Sequence, residues 1–181
     1  MFLFIVLFFI LLYLFFYRFP KPIIRKNNFD HVYSPAFGKI MKIIRQSDNT
    51  LFIAIFLSPL DIHYQFCPVS GIIKDFKYDR TGQFELAYEL NKSNNNEKVI
   101  TTIQNKHGDF KIYQIAGFLV RRISSYIEKN KNTTIDSGEA IGLIHFGSRV
   151  DIIIPKATEF NLKVKEGDYV NGFNSMLGYY Y

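Results

Sequence analysis

The sequence predicts an α+β fold: a β-rich, sandwich-like domain with one or two short helices, preceded by a single N-terminal transmembrane helix. Three observations carry this expectation. Short alternating or wholly apolar runs, bounded by turn residues, recur roughly eight times or more along the chain. An unbroken apolar run, MFLFIVLFFILLYLFFY, occupies residues 1–17. The 181 residues are 48% hydrophobic and 17% aromatic, too apolar for disorder and enough for one domain with its own core.

At ~1.5 Å per residue the opening run makes a helix about 25 Å long, at the short end of what crosses a bilayer. No basic residue precedes it and no small-residue cleavage site follows it, so it reads as an uncleaved anchor rather than a signal peptide. Arg18, Lys21, Arg25 and Lys26 come next, which places the remainder of the chain on the cytoplasmic side. Pro20 and Pro22 stop the helix. Residues 18–31 therefore form a basic linker and residues 32–181 the domain. The alternative at this length is a segment lying in one leaflet.

Within the domain, Ile40–Ile44 and the apolar run Leu51–Leu57 read as strands joined through Asp48-Asn49, with the second central in its sheet. Ser58-Pro59 ends that strand and sets Asp61 and His63 on the following loop. Gly71–Tyr78 is a strand. Val99–Gln104 and Phe110–Ala116 alternate on either side of a His107-Gly108 turn. Phe118–Glu128 carries Leu119, Ile123 and Ile127 at helical spacing, the pattern of a short amphipathic helix. Ile141–Pro155 reads as one strand interrupted by the small step Gly147-Ser148, where a bulge or a close backbone approach is expected. Phe160–Val164 alternates, and Tyr179–Tyr181 has no evident role.

The net charge of +6 comes from scattered Lys and Arg, clustered only after the apolar run. That distribution argues against nucleic acid and for an anionic membrane surface. The lone Cys67 builds neither a disulfide nor a cysteine metal site, and no spacing among the four histidines suggests a metal centre.

The stretch Ile-Gly-Leu-Ile-His-Phe-Gly-Ser-Arg-Val-Asp, residues 141–151, resembles the processing site of the short-form phosphatidylserine decarboxylases. Four further blocks resemble that family in the same order: Phe15–Pro20, Tyr33–Lys39, Phe56–His63 with Pro68–Gly71, and Gln114–Arg122. The resemblance implies a zymogen that cleaves itself between Gly147 and Ser148, giving a β chain (1–147) and an α chain (148–181). Ser148 would become a pyruvoyl group, the cofactor. The implied activity is that of a lyase in phospholipid biosynthesis, converting phosphatidylserine to phosphatidylethanolamine. The implied partners are phosphatidylserine, an anionic membrane surface, the two chains of one precursor and, left open, a second copy in a homo-oligomer.

Ser148, His63 and Asp61 are the candidate catalytic residues. A serine hydroxyl can attack the preceding carbonyl when a base is near, and an imidazole oriented by a carboxylate is such a base. His145 is an alternative base, since on a continuous strand it would share a face with Gly147. One position departs from the family pattern: its aspartate falls at Phe37. The second histidine of long-form members falls at Phe66. The alternative reading that Phe37 raises is a catalytically degenerate, unprocessed relative that binds membrane or lipid.

Overall fold

The structure is a computed structural model, and it describes residues 2–80, 82, 86, 89–93, 95–117, 122–127, 131–145 and 148–181. The chain opens with helix α1 (Phe2–Phe16). Strands β1 (His31–Tyr33), β2 (Gly38–Arg45), β3 (Leu51–Leu57), β4 (Tyr64–Phe66) and β5 (Gly71–Asp79) follow, and then a one-turn helix α2 (Leu90–Ser93). Next come β6 (Lys98–Asn105), β7 (Gly108–Ile115), β8 (Ile123–Ser125), β9 (Thr134–Ile135) and β10 (Ala140–Ile144). β11 (Ser148–Ile154), β12 (Phe160–Leu162), β13 (Tyr169–Val170) and β14 (Met176–Tyr180) complete the chain.

The strands form an eight-stranded sheet, β13-β2-β3-β11-β7-β6-β5-β9, and two three-stranded sheets, β4-β10-β8 and β1-β14-β12. Every pairing among the described residues is antiparallel. The β-rich expectation therefore holds. β3 and β11 lie at the middle of the large sheet, and their β-branched residues supply much of the core: Ile53, Ile55, Val150 and Ile152 are fully buried. On β7 the alternation Phe110, Ile112 buries one face against them.

Three expectations need correction. Helix α1 has 15 residues, about 22 Å at ~1.5 Å each, against a hydrocarbon core of ~30 Å. Among the described residues no helix is long and apolar enough to cross a membrane. At the end of α1, Phe16 turns inward and is buried against the domain.

The second correction concerns the stretch expected to be a single interrupted strand. It is two strands in two sheets. β10 belongs to the small β4-β10-β8 sheet and β11 to the centre of the large one. The small-residue step is where the chain changes sheets; Phe146 and Gly147, at that step, lie outside the described residues. The third correction is at Ile123–Ser125, expected to be helical. It forms β8, pairing Gly142 with Ser125 and Ile144 with Ile123. The pair Ser124-Ser125 favours non-helical backbone, and β10 needs an edge partner. The flanking residues 118–121 and 128–130 lie outside the described residues.

The tyrosine tail gains a role. β14 pairs with both β1 and β12. Tyr180 is buried, donates to the Pro155 carbonyl (2.6 Å) and stacks on His107 at 3.8 Å. Residues 18–31 also lie along the domain: Arg25 N–H donates to Ser137 O (2.8 Å), and the Arg25 guanidinium covers the Tyr33 ring and donates to Phe173 O.

Candidate active site

Ser148 is the first residue of β11 and pairs with Leu57, the last residue of β3. Strand alternation puts its side chain on the core face with Val150 and Ile152. Its hydroxyl is fully buried and has no hydrogen-bond partner among the described residues. Leaving such a group unpaired costs roughly 1–3 kcal/mol, so a buried orphan hydroxyl at this position calls for a chemical reason.

The loop leaving β3 carries the other two candidates into the same corner. Ser58 N–H donates to Asp61 Oδ2 at 2.7 Å, and Asp61 N–H returns a bond to Ser58 O at 2.9 Å. The Tyr169 hydroxyl donates to the other carboxylate oxygen, Oδ1. Burial of the phenol and then its bond to Asp61 push the Tyr169 pKa up to about 12. Asp61 thus braces the loop with its carboxylate and leaves its main-chain carbonyl for His63.

His63 is fully buried, with Nδ1 2.8 Å from Asp61 O. A carbonyl oxygen only accepts, so Nδ1 carries the proton and Nε2 presents a lone pair. Nε2 is buried and has no partner among the described residues. Burial pushes the imidazole down to about 4, the Asp61 carbonyl opposing. It is therefore neutral near pH 7 and able to accept a proton. The sequence suggested that the Asp61 carboxylate holds the imidazole; the geometry gives that task to its main-chain carbonyl.

The site is tied to the strand that leads into Ser148. His63 O accepts the Ile144 N–H (3.1 Å) and the Gln65 amide (2.5 Å). Gln65 Oε1 in turn accepts from Gln114 Nε2 (2.8 Å). Above the imidazole sits the end of α1: the Phe16 ring is 4.4 Å from that of His63. Next to it, the Tyr17 hydroxyl lies 2.8 Å from His145 Nδ1, while Ser124 Oγ lies 3.1 Å from His145 Nε2. Both nitrogens of His145 are thus engaged. β10 ends at Ile144, so strand alternation does not carry from His145 to Gly147.

Arg149 and Asp151 point to the opposite face of β11, where they form a buried pair at 2.9 Å, with Arg149 also donating to Ser93 Oγ at 2.6 Å. Burial pushes the Asp151 carboxyl up to about 6 despite Arg149. Cys67 is buried, its thiol pushed up by desolvation, and it donates to Val69 O; it is an inert structural thiol.

Phe37, where the family has its aspartate, and Phe66, where long-form members have a second histidine, are in one aromatic cluster. Their ring centroids are 6.3 Å apart, Phe173 lies 5.7 Å from Phe37 and 4.8 Å from Phe66, and Phe19 joins at 6.3 Å from Phe66. Gly172 is required beside them, because a Cβ there would stand 2.8 Å from the Phe37 ring.

Sequence reasoning missed Phe16, Tyr17, Tyr169, Gln65 and Gln114. A signal existed for Gln114, a polar residue at a core-facing position in the alternation Phe110, Ile112, Gln114. For the remainder none did, since their partners are distant in sequence.

A family model described as phosphatidylserine decarboxylase matches residues 12–176. A phosphatidylserine decarboxylase proenzyme of Streptomyces avermitilis is 36% identical over 151 residues, 83% of this chain and 67% of the relative. One of Cytophaga hutchinsonii is 40% identical over 147 residues, 77% of this chain and 65% of the relative. One of Chlorobaculum tepidum is 32% identical over 177 residues, 94% of this chain and 78% of the relative. The chain thus spans about two thirds of the length of the first two. The order of blocks along the sequence and the match over most of its length lead to one assignment: this chain belongs to the phosphatidylserine decarboxylase family.

Proposed function

We propose that this protein cleaves its own chain between Gly147 and Ser148 and then decarboxylates phosphatidylserine to phosphatidylethanolamine. The observation that carries the reading is the pair of buried, unpartnered atoms in one corner of the fold, Ser148 Oγ and His63 Nε2. In this reading His63 Nε2 takes the Ser148 hydroxyl proton and the freed oxygen attacks the Gly147 carbonyl carbon; the peptide C–N bond breaks as the Ser148 nitrogen is protonated, leaving an ester that eliminates the Gly147 carboxylate, and hydrolysis of the resulting dehydroalanine releases ammonia. Asp61 keeps the imidazole in the accepting tautomer through its main-chain carbonyl. The orphan hydroxyl at the head of a central strand fits a residue that is converted in place into a pyruvoyl group. That group supplies an electron-accepting carbonyl as carbon dioxide leaves. His63 Nε2 is placed to hold and return the proton that completes the product, and the surrounding apolar side chains exclude water.

The reading includes the membrane. Leu3 to Phe15 of α1 are exposed and apolar on every side. In this reading the apolar helix seats in the bilayer, while the exposed Lys21 and Lys26 meet anionic headgroups. The domain then lies on the cytoplasmic side, with its site beneath the point where α1 leaves the lipid.

The test is intact mass together with lipid conversion. Purified protein should show two chains divided before residue 148, the smaller with a blocked N-terminus, and should convert phosphatidylserine in mixed vesicles. Ser148→Ala should remain one chain and convert nothing. A wild-type protein that stays full-length and inactive after long incubation with phosphatidylserine overturns the proposal. Carbonate extraction and protease protection of sealed membranes test the placement; a domain shielded in the lumen contradicts it.

A further inference from the structure

Gln114 lies on the core-facing side of β7, in line with Phe110 and Ile112, and is 1% exposed. An amide there is costly unless both its ends are satisfied, yet only one is. Its Nε2 donates to Gln65 Oε1, and Gln65 Nε2 donates to His63 O. The order is set by chemistry. A main-chain carbonyl can only accept, so Gln65 must turn its NH₂ to His63 and its oxygen to Gln114. Gln114 must then turn its own NH₂ to Gln65. The free end of the relay is a carbonyl oxygen, Gln114 Oε1, buried and without a partner among the described residues.

That oxygen is on the same face as Ser148. Gln114 pairs with Val150, and Ser148 lies two residues back along β11. Diagonal neighbours on one face are about 7–8 Å apart, within reach of a long side chain or a small ligand group. The fold makes room for the relay. A Cβ on Gly142 would stand 2.7 Å from Gln114 Nε2 and 2.7 Å from Ser124 O, so only glycine lets β10 pack against it.

Three buried orphan atoms thus belong to this corner: Gln114 Oε1, His63 Nε2 and Ser148 Oγ. The first two are acceptors only. The serine hydroxyl bonds neither in the structure, and its single proton could satisfy only one of them. Conversion of Ser148 to a ketone removes even that proton. The site therefore lacks hydrogen-bond donors, and a primary amine supplies them, two N–H when neutral and three when charged. We propose that Gln114 is a substrate-positioning residue whose side-chain carbonyl, oriented through Gln65, accepts an N–H of the substrate's primary amine beside residue 148. This rests on the functional reading above and adds to it the residue that receives the amine.

The experiment uses the full-length protein in detergent. Gln114→Leu keeps the bulk and removes the carbonyl; Gln114→Glu, protonated at this buried position, keeps an acceptor oxygen and an O–H donor to Gln65 Oε1. Intact mass reads self-cleavage. Calorimetric titration with glycerophosphoethanolamine and with glycerophosphoglycerol reads amine preference without turnover, and KM and kcat for phosphatidylserine are read separately. Wild type should prefer the amine headgroup. Gln114→Leu should cleave like wild type, lose about tenfold or more of that preference, and raise KM more than it lowers kcat. Gln114→Glu should restore the preference. A merely structural role would lower thermal stability and slow cleavage while leaving the preference intact, and that result overturns the inference. So does a wild type with no preference for the amine. If Gln114→Leu does not fold, Gln65→Leu releases the amide orientation and should also reduce the preference; an unchanged preference there refutes the relay. A wild type that neither cleaves nor decarboxylates sinks the functional reading, whereas the titration still decides the role of Gln114 on the uncleaved chain.

Discussion

Lowering the pH should destabilise this fold through one residue, His63. Its imidazole is fully buried, and burial depresses its pKa to about 4 from an ordinary value of 6.5. The folded state thus binds the proton more weakly than the unfolded chain. His63 favours folding fully above about pH 6.5, and that contribution is lost as the pH falls toward 4. The difference is 6.5 − 4, or 2.5 units, and at ~1.36 kcal/mol per unit it amounts to about 3 kcal/mol. Asp151 acts in the opposite sense. Its carboxyl is raised to about 6, so its contribution is greatest at low pH and is lost as the pH rises through 6. The net pH profile of the wild type mixes these with other groups, among them His145, whose imidazole pKa burial also depresses. The clean measurement is a difference: denaturant unfolding of Ser148→Ala, a single uncleaved chain, with and without His63→Gln, at pH 7 and pH 4.5. Asp151 and all other groups cancel. The two proteins should diverge by about 2–3 kcal/mol across that interval, with the His63 protein losing more on acidification. Parallel curves would refute the assignment of a buried neutral imidazole.

Other substitutions separate the roles of the site residues. His63→Ala should slow self-cleavage and decarboxylation by ~10²–10⁴-fold, followed by gel and lipid assays. Asp61→Asn should slow them far less, because the main-chain carbonyl that orients His63 is retained while the bonds from Ser58 and Tyr169 are weakened. Phe16→Ala should cost about 3–5 kcal/mol of stability and, by admitting water over the imidazole, move the acidic edge of the pH–rate profile upward. Phe37→Asp should lower stability by about 1–3 kcal/mol in denaturant unfolding, without faster cleavage, since the carboxylate would face Phe66 and Phe173 rather than a base.

Much of the fold follows from local pattern. The β3 run ends at Leu57 because Ser58-Pro59 cannot continue it, and the β6–β7 hairpin turns at His107 because Gly108 takes φ +128°. Ser148, Asp61 and His63 stand in blocks that recur in the family's order, and the register of β3 with β11 sets Ser148 beside Leu57, where the loop carrying Asp61 and His63 begins. What stayed hidden depends on partners far away in sequence. Ile141–Pro155 has two apolar runs either side of a small-residue step, and nothing local says that its halves join different sheets. Ile123 and Ile127 are four apart, a spacing that suits a helix, but the edge of β10 claims the segment as a strand. Tyr169 reaches Asp61 across more than a hundred residues. The role proposed for Gln114 rests on a chain of amides whose direction starts from the His63 carbonyl on a distant loop.

The loss of the family's aspartate at position 37 takes a different meaning from the structure. Position 37 is an aspartate in the pattern this chain resembles and position 66 a histidine in long-form members, and here both are phenylalanines in ring contact with each other and with Phe173. A carboxylate at 37 facing an apolar ring at 66 would carry a desolvation cost with no partner to offset it. Two phenylalanines instead add buried apolar area, at about 25 cal/mol per Å². The replacements are mutually consistent as a pair and inconsistent singly. They also leave His63 untouched. Its tautomer is set by the main-chain carbonyl of Asp61, and its depressed pKa by burial under Phe16. Neither depends on a side chain at 37 or 66. A base held in this way by the backbone, the role proposed for His63, needs no carboxylate at position 37.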